Sequence, residues 1–284
     1  MQPGRQDTTM NDLTQAQPIE AAHSAESVLS VQNLVKVYGE PGHGATHTAL
    51  DGFSLQVPAG GFVGVMGPSG SGKTTLLNIM ATIDRPTSGS VRLAGVDPST
   101  MENGELALFR RRRLGFVFQD FNLLDSLSLR ENILLPLVLD RVPVRRMQQR
   151  LAQITETLGI SAILDRRPFE VSGGQQQRAA IARSIIHEPD LILADELTGN
   201  LDSKAGHDVM TALSDLNREH GVTVVMVTHD PFAASFCNRI TFIRDGKTWG
   251  ELHQSANRQA FMQQILDNLS LMSGGGHELR AAGA

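Results

Sequence analysis

The chain has 284 residues, 25 Lys and Arg against 30 Asp and Glu (net charge −5), 40% hydrophobic residues and one cysteine, Cys237. That length and apolar content suffice for a full core, while the acidic balance offers no electrostatic attraction to nucleic acid or to an anionic bilayer. A lone cysteine excludes an internal disulfide and fits a reducing compartment, and no run approaches the roughly 18 apolar residues that would predict a membrane span.

In chain order, residues 1–27 are polar, rich in Gln, Thr, Asp and Ala. Without an apolar stretch they read as a disordered extension rather than a secretory leader. Short β-type runs follow over 28–58, broken by a turn-rich loop at 39–44. His43 and His47 lie in and just beyond that loop; lacking thiols or acids at ligand spacing, they are expected to be solvated loop side chains. The apolar run 61–66 predicts a buried strand, and 75–80 a helix start. Between them stands Gly67-Pro68-Ser69-Gly70-Ser71-Gly72-Lys73-Thr74, followed by Thr75, which matches the phosphate-binding pattern G-x-x-x-x-G-K-[ST] in its required strand–loop–helix context. Glycines there let backbone N–H groups turn inward around phosphate oxygens, and the helix N-terminus adds partial positive charge. Lys73 is expected to reach the β- and γ-phosphates of a nucleotide and the Thr74 hydroxyl to hold Mg²⁺.

Residues 98–171 read as helix-rich. Val144, Met147, Leu151, Ile154 and Leu158 fall at helical spacing and predict core packing. The basic run Arg110 to Arg113 lacks interleaved aromatics and reads as a solvated helix end, where cations complement the carbonyl dipoles. Ser172-Gly173-Gly174-Gln175 opens a second helix: Ser172 is the expected cap, and Ala179, Ala182, Ile185 and Ile186 form its apolar stripe. A helix start with so bare a backbone is another anion site. Leu191-Ile192-Leu193-Ala194-Asp195-Glu196 predicts a buried parallel strand delivering two carboxylates to the sheet edge, Asp195 to orient Mg²⁺ and Glu196 to polarise the water that attacks the γ-phosphate. A strand over 222–227 leads to Thr228-His229-Asp230. The segment 257–272 carries Phe261, Ile265, Leu269 and Met272 on one face of a helix, and the Gly-rich remainder reads as disordered.

Taken in this order, the motifs resemble the ATPases of ABC (ATP-binding cassette) transporters over about residues 29–250. The resemblance implies an α/β phosphate-loop NTPase core with an antiparallel β lobe and an inserted helical lobe. The ATPase domain would span 28–255, its helical lobe about 98–171, with a C-terminal helix and disordered tail over 256–284. It implies ATP and Mg²⁺ as cofactors and a second copy of the chain as partner, two ATPs being sandwiched head to tail. On that pattern Tyr38 stacks on adenine, and Gln119 senses Mg²⁺ and communicates with a membrane partner. Ser172, Gly173, Gly174 and Gln175 bind the γ-phosphate of the other subunit's ATP, Asn200-Leu201-Asp202 crosses the interface, and His229 contacts the γ-phosphate and supports Glu196.

The wording of 81–89, 118–127 and 129–137 is similar to one branch of exporters, the lipoprotein-release, macrolide-export and bacitracin-type peptide-resistance ATPases, and most similar to the last. This implies a separate integral-membrane permease, docked through the Leu-rich surface after Gln119, and a place on the cytoplasmic face of the bacterial inner membrane. A non-transport relay to a membrane signalling partner and lipoprotein release stand as alternatives. A soluble role on ribosomes or DNA is disfavoured by the single motif set and the lack of sustained heptads. Two positions depart from the family: Val171 stands where leucine is usual, and Leu197 where proline is usual, a change expected to loosen the approach to Asn200 and Asp202.

Overall fold

The strands Phe62–Met66 (β3), Leu191–Asp195 (β6) and Val224–Val227 (β7) are nearly unbroken apolar runs, as parallel strands covered on both faces must be. Their pleat divides the core in two. Phe62, Met66, Ile192, Ala194, Val224 and Met226 face one cluster, and Val63, Val65, Leu191, Leu193, Val225 and Val227 face the other. The computed structural model describes residues 27–39, 45–255 and 257–272.

These strands form the centre of a six-stranded sheet, ordered β5-β6-β7-β3-β8-β9, in which β5 is Leu114–Val117, β8 Arg239–Arg244 and β9 Lys247–His253. All neighbours run parallel except β8 and β9, which are antiparallel. A second, antiparallel sheet of three strands, ordered β2-β1-β4, is built from Ser27–Tyr38 (β1), His47–Pro58 (β2) and Ser88–Leu93 (β4). Helix α1 (Lys73–Met80) is packed within the cluster shared by this sheet and one face of the larger one, through Leu76, Leu77, Ile79 and Met80. The opposite face carries α3 (Leu129–Leu139), α4 (Val144–Thr157), α5 (Gly173–Ile185), α6 (Ser203–His220) and the short α7 (Pro231–Ala234). The predicted stripe of α5 is buried throughout.

The last helix, α8 (Arg258–Met272), presents the expected face. Phe261, Ile265 and Met272 are buried and Leu269 packs beside them. The Arg258 guanidinium lies 4.3 Å from the centre of the Phe236 ring, fastening α8 beside α7.

Four expectations are corrected. The segment 98–171 is not wholly a helical lobe: after α2 (Asn103–Arg113) it lends β5 to the edge of the main sheet. Val144 is 65% exposed because it starts α4, before that helix meets the core; Leu151 and Leu158 are buried, Met147 and Ile154 partly. The basic run does end a helix, but acids hold it: Arg111 pairs with Asp140 and Arg113 with Asp190, while Arg110 donates to the Thr82 carbonyl. His47 belongs to a strand, not a loop. His43, the extension before Ser27 and the tail after Met272 lie outside the described residues. Among the described residues, no helix is long and apolar enough to cross a membrane.

Candidate functional site

The C-terminal ends of β3, β6 and β7 open onto a cavity of about 610 Å³. Of the sequence-predicted residues it brings together Tyr38, Gly67, Pro68, Ser69, Gly70, Gly72, Lys73, Thr74, Thr75, Glu196 and His229, and it adds His47 and Ala49. Glycine is required at two points of the loop. A Cβ at 67 would lie 2.1 Å from the Ile243 carbonyl oxygen, and Gly72 sits at φ 102°, where a Cβ would come 2.4 Å from the Ala49 oxygen. Gly72 is also the N-cap of α1 and offers no side chain to its free N–H groups, which leaves them for an anion. Ser71 is buried and its hydroxyl has no hydrogen-bond partner among the described residues.

Lys73 crosses the loop, its Nζ donating to the carbonyls of Gly67 and Pro68 at 2.8 Å each. Burial pushes its pKa down, an effect the nearby Glu196 and Asp195 partly oppose. A bound phosphate would push it up again. Nucleotide affinity is therefore expected to fall as pH rises through a value below the ordinary lysine 10.5, with proton uptake on binding in that range. Calorimetry in buffers of different ionisation enthalpy checks this; binding without proton uptake there contradicts it.

Glu196 follows β6 in a left-handed backbone conformation (φ 47°), a strained choice for a side chain that large. Its N–H bonds to the Val227 carbonyl at 3.0 Å, which turns the carboxylate toward the residues after β7. There Oε1 accepts from the His229 backbone N–H at 3.1 Å and lies 2.7 Å from His229 Nδ1, while Oε2 accepts from the Thr228 hydroxyl at 3.2 Å. This arrangement fixes one carboxylate at the lining of the phosphate-loop cavity, the geometry a water-orienting base needs. Asp195 does not line the cavity. Burial and the neighbouring Glu196 push its pKa up, and Lys73 draws it down.

Tyr38 is 39% exposed at the cavity edge, with its ring 4.7 Å from Lys36 Nζ and its hydroxyl donating to Asp84 at 2.8 Å. Burial alone would raise the Asp84 carboxyl, but hydrogen bonds from Lys36 and Tyr38 outweigh it and hold the pKa low.

Gln119 is not brought to this cavity: its side-chain amide instead donates to Asn200 at 3.2 Å. The serine–glycine motif is also elsewhere. Ser172, Gly174 and Asp202 line a second, 150 Å³ cavity with Arg178, Lys204, Ala205 and Asp208, and share no residue with the first. Ser172 caps α5 in a reciprocal box with Gln175, and Asp202 caps α6 by accepting from Ala205 N–H at 2.9 Å. Gly173 and Gln175 flank this cavity without lining it. One chain thus carries the phosphate loop and the serine–glycine motif in two cavities that share no residue.

At Leu197, where loosening is expected, packing and a hydrogen bond stand in place of a proline's stiffness. Its side chain is 1% exposed, its carbonyl accepts from the buried Gln177 amide at 3.1 Å, and the next residue, Thr198, donates to Asp230. Leu197→Ala is expected to cost about 2–5 kcal/mol, measurable by urea unfolding; a loss under about 1 kcal/mol would mean the site collapses around the smaller side chain. Sequence reasoning missed His47, Ala49, Thr228, Asp84 and Gln177. Only Thr228, beside His229, carried a local signal.

A model of the family "ABC transporter" matches residues 50–199. Over 252 residues the chain is 59% identical to "Uncharacterized ABC transporter ATP-binding protein YvcR" of Bacillus subtilis (strain 168), covering 89% of this chain and 97% of that relative. It is 44% identical over 249 residues to "Bacitracin export ATP-binding protein BceA" of Halalkalibacterium halodurans, covering 87% and 98% respectively. Among solved structures, the "Dimeric structure of a post-hydrolysis state of the ATP-binding cassette MJ0796 bound to ADP and Pi" superposes with a TM-score of 0.71 at 38% identity, over 81% of this chain and all of that one.

Proposed function

Because this chain belongs to the ABC transporter family as an ATP-binding protein, we propose that it hydrolyses MgATP between two head-to-tail copies and thereby drives a separate membrane permease that exports antimicrobial peptides. The observation that carries this reading is the division of the site. The cradle of Lys73, Glu196 and His229 and the surface of Ser172 and Gly174 line different cavities of one chain. A two-fold arrangement would let each cradle meet the other copy's capped helix.

In that complex Lys73 and the loop N–H groups hold the β- and γ-phosphates, and Tyr38 stacks on the base. Glu196 orients the attacking water, with His229 and Thr228 fixing its carboxylate. The Thr74 hydroxyl, the Asp195 carboxylate and the Gln119 amide oxygen are hard donors that suit Mg²⁺. The ion would neutralise charge on the phosphates as the bond breaks.

The permease would dock where α2, β5, α3 and α5 leave a groove of about 360 Å³, lined by Leu135, Pro136, Leu139 and Phe116 with Arg110 and Arg183. Leu139 and Val138, 54% and 53% exposed, extend its apolar rim. Such a subunit works on the cytoplasmic face of a bacterial inner membrane. The bacitracin-export relative supports the peptide substrate class.

The test is capture of membrane partners on tagged Glu196→Gln chain with MgATP present. Recovery of a multi-span permease with a large extracytoplasmic domain is expected. Recovery of ribosomal or DNA-repair proteins alone would contradict the reading.

A further inference from the structure

Gln119 stands out because its side chain is not free to choose its own orientation. The Asn200 Nδ2 donates to two groups that can only accept, the Gln119 backbone carbonyl at 3.1 Å and the Asp120 carboxylate at 2.8 Å. That pair settles which end of the Asn200 amide is nitrogen. The Asn200 oxygen must then face Gln119, and because an amide oxygen can only accept, it selects the NH₂ end of Gln119, at 3.2 Å. Among the described residues the Gln119 oxygen is left as the end without a hydrogen bond, and oxygen is the end a divalent cation uses.

The backbone is shaped for the same contact. A Cβ at position 199 would lie 2.8 Å from Gln119 Nε2, so glycine at 199 is what lets the amide lie across that loop. A second amide braces the two loops from beneath. Gln177, fully buried, donates to the carbonyls of Phe118 and Leu197, the residues just before Gln119 and just after Glu196.

We propose that Asn200 is a positioning residue for Gln119: outside the cavity, where Gln119 stands in this structure, it holds the amide nitrogen so that the oxygen is the end left to meet the nucleotide-bound divalent cation. The inference rests on the reading of Gln119 as a metal-facing group. It assigns to Asn200 a task inside its own subunit, in addition to any contact across a dimer interface. Outer partners that orient a ligand are typically worth about 10- to 100-fold in metal affinity.

The experiment measures Mn²⁺ binding by electron paramagnetic resonance on the full chain loaded with a non-hydrolysable ATP analogue, alongside affinity for the same analogue in EDTA. Asn200→Ala is expected to weaken Mn²⁺ about tenfold, as is Gln119→Ala, with metal-free analogue affinity unchanged in both. Gly199→Ala, which crowds the Gln119 nitrogen, should shift Mn²⁺ in the same direction. Asn200→Asp combined with Asp120→Asn exchanges donor and acceptor, restores two of the three bonds, and should bring Mn²⁺ affinity back to within about threefold of wild type. Mn²⁺ weakened by Gln119→Ala but not by Asn200→Ala overturns this inference and leaves the role of Gln119 standing. If neither variant weakens Mn²⁺, both readings fall. Loss of metal-free analogue affinity in Asn200→Ala would show a general disruption of the site and likewise overturns the proposal.

Discussion

Glu196→Gln is expected to bind nucleotide as tightly as the wild type and to hydrolyse it about 10²- to 10⁴-fold more slowly. The substitution keeps the volume of the side chain and one accepting oxygen for the His229 N–H, so the loop that carries it should stay in place. What it loses is the charge, and with it the capacity to draw a proton from water. Its new NH₂ end would also meet groups that now donate, the Thr228 hydroxyl on one side and the His229 N–H on the other. The fold should gain slightly, since Asp195 is half-buried beside Glu196 and their repulsion helps push its pKa up. If hydrolysis is what reopens the dimer, the variant should accumulate as an ATP-bound pair. Single-turnover assays and sedimentation with MgATP check both halves; turnover at the wild-type rate would remove Glu196 from its assigned role.

Lys73→Ala is expected to weaken nucleotide binding itself, by about 10- to 100-fold, from the roughly 1.5–3 kcal/mol that a hydrogen bond to a charged group contributes. The loss falls on binding because Lys73 already lies in the cradle, its Nζ held by the adjacent carbonyls of Gly67 and Pro68. Stability should change little: the ammonium is partly desolvated where it stands, and the two carbonyls it leaves can be hydrated. Lys73→Arg should not rescue binding, because a planar guanidinium fits this tight turn poorly. Calorimetry with ATP decides it, and unchanged affinity would contradict the phosphate-loop assignment.

The parts of this site that a reader could take from the sequence are those written in one stretch. The phosphate loop needs glycines and a lysine at fixed spacing between a strand and a helix, and all of these are neighbours in the chain. Asp195 and Glu196 are announced by the apolar strand that delivers them, and Ser172 by the helix it caps. Contacts between distant segments left no such mark. Tyr38, at the end of β1, meets Asp84, and Asn200 meets Gln119, only because the fold brings their segments together. The acids that neutralise the arginine run, Asp140 and Asp190, likewise come from outside its own helix.

Periodicity failed in two instructive places. It placed Val144 in the core because spacing does not tell where a helix first touches its neighbours. It also passed over β5, a four-residue strand between helical segments, too short to show alternation. Leu197 shows a different gap in what the sequence displays. Comparison with a usual proline weighs backbone stiffness, whereas here a buried side chain and the Gln177 amide restrain the loop instead.

The central claim is that each working site is built from two copies, and mixing two impaired variants tests it most directly. Lys73→Ala disables the cradle and leaves the Ser172 surface intact. Ser172→Asp does the reverse: aspartate still caps α5, so the helix survives, but its charge repels a phosphate. At ATP concentrations near the wild-type Kd, each variant alone should have ATPase activity far below the wild type. In a mixed pair, Lys73 of one chain can meet Ser172 of the other, so activity should return when the two are combined and rise with their concentration. A mixture no more active than its separate components would mean that the two cavities do not complete one another, and the account would have to be abandoned.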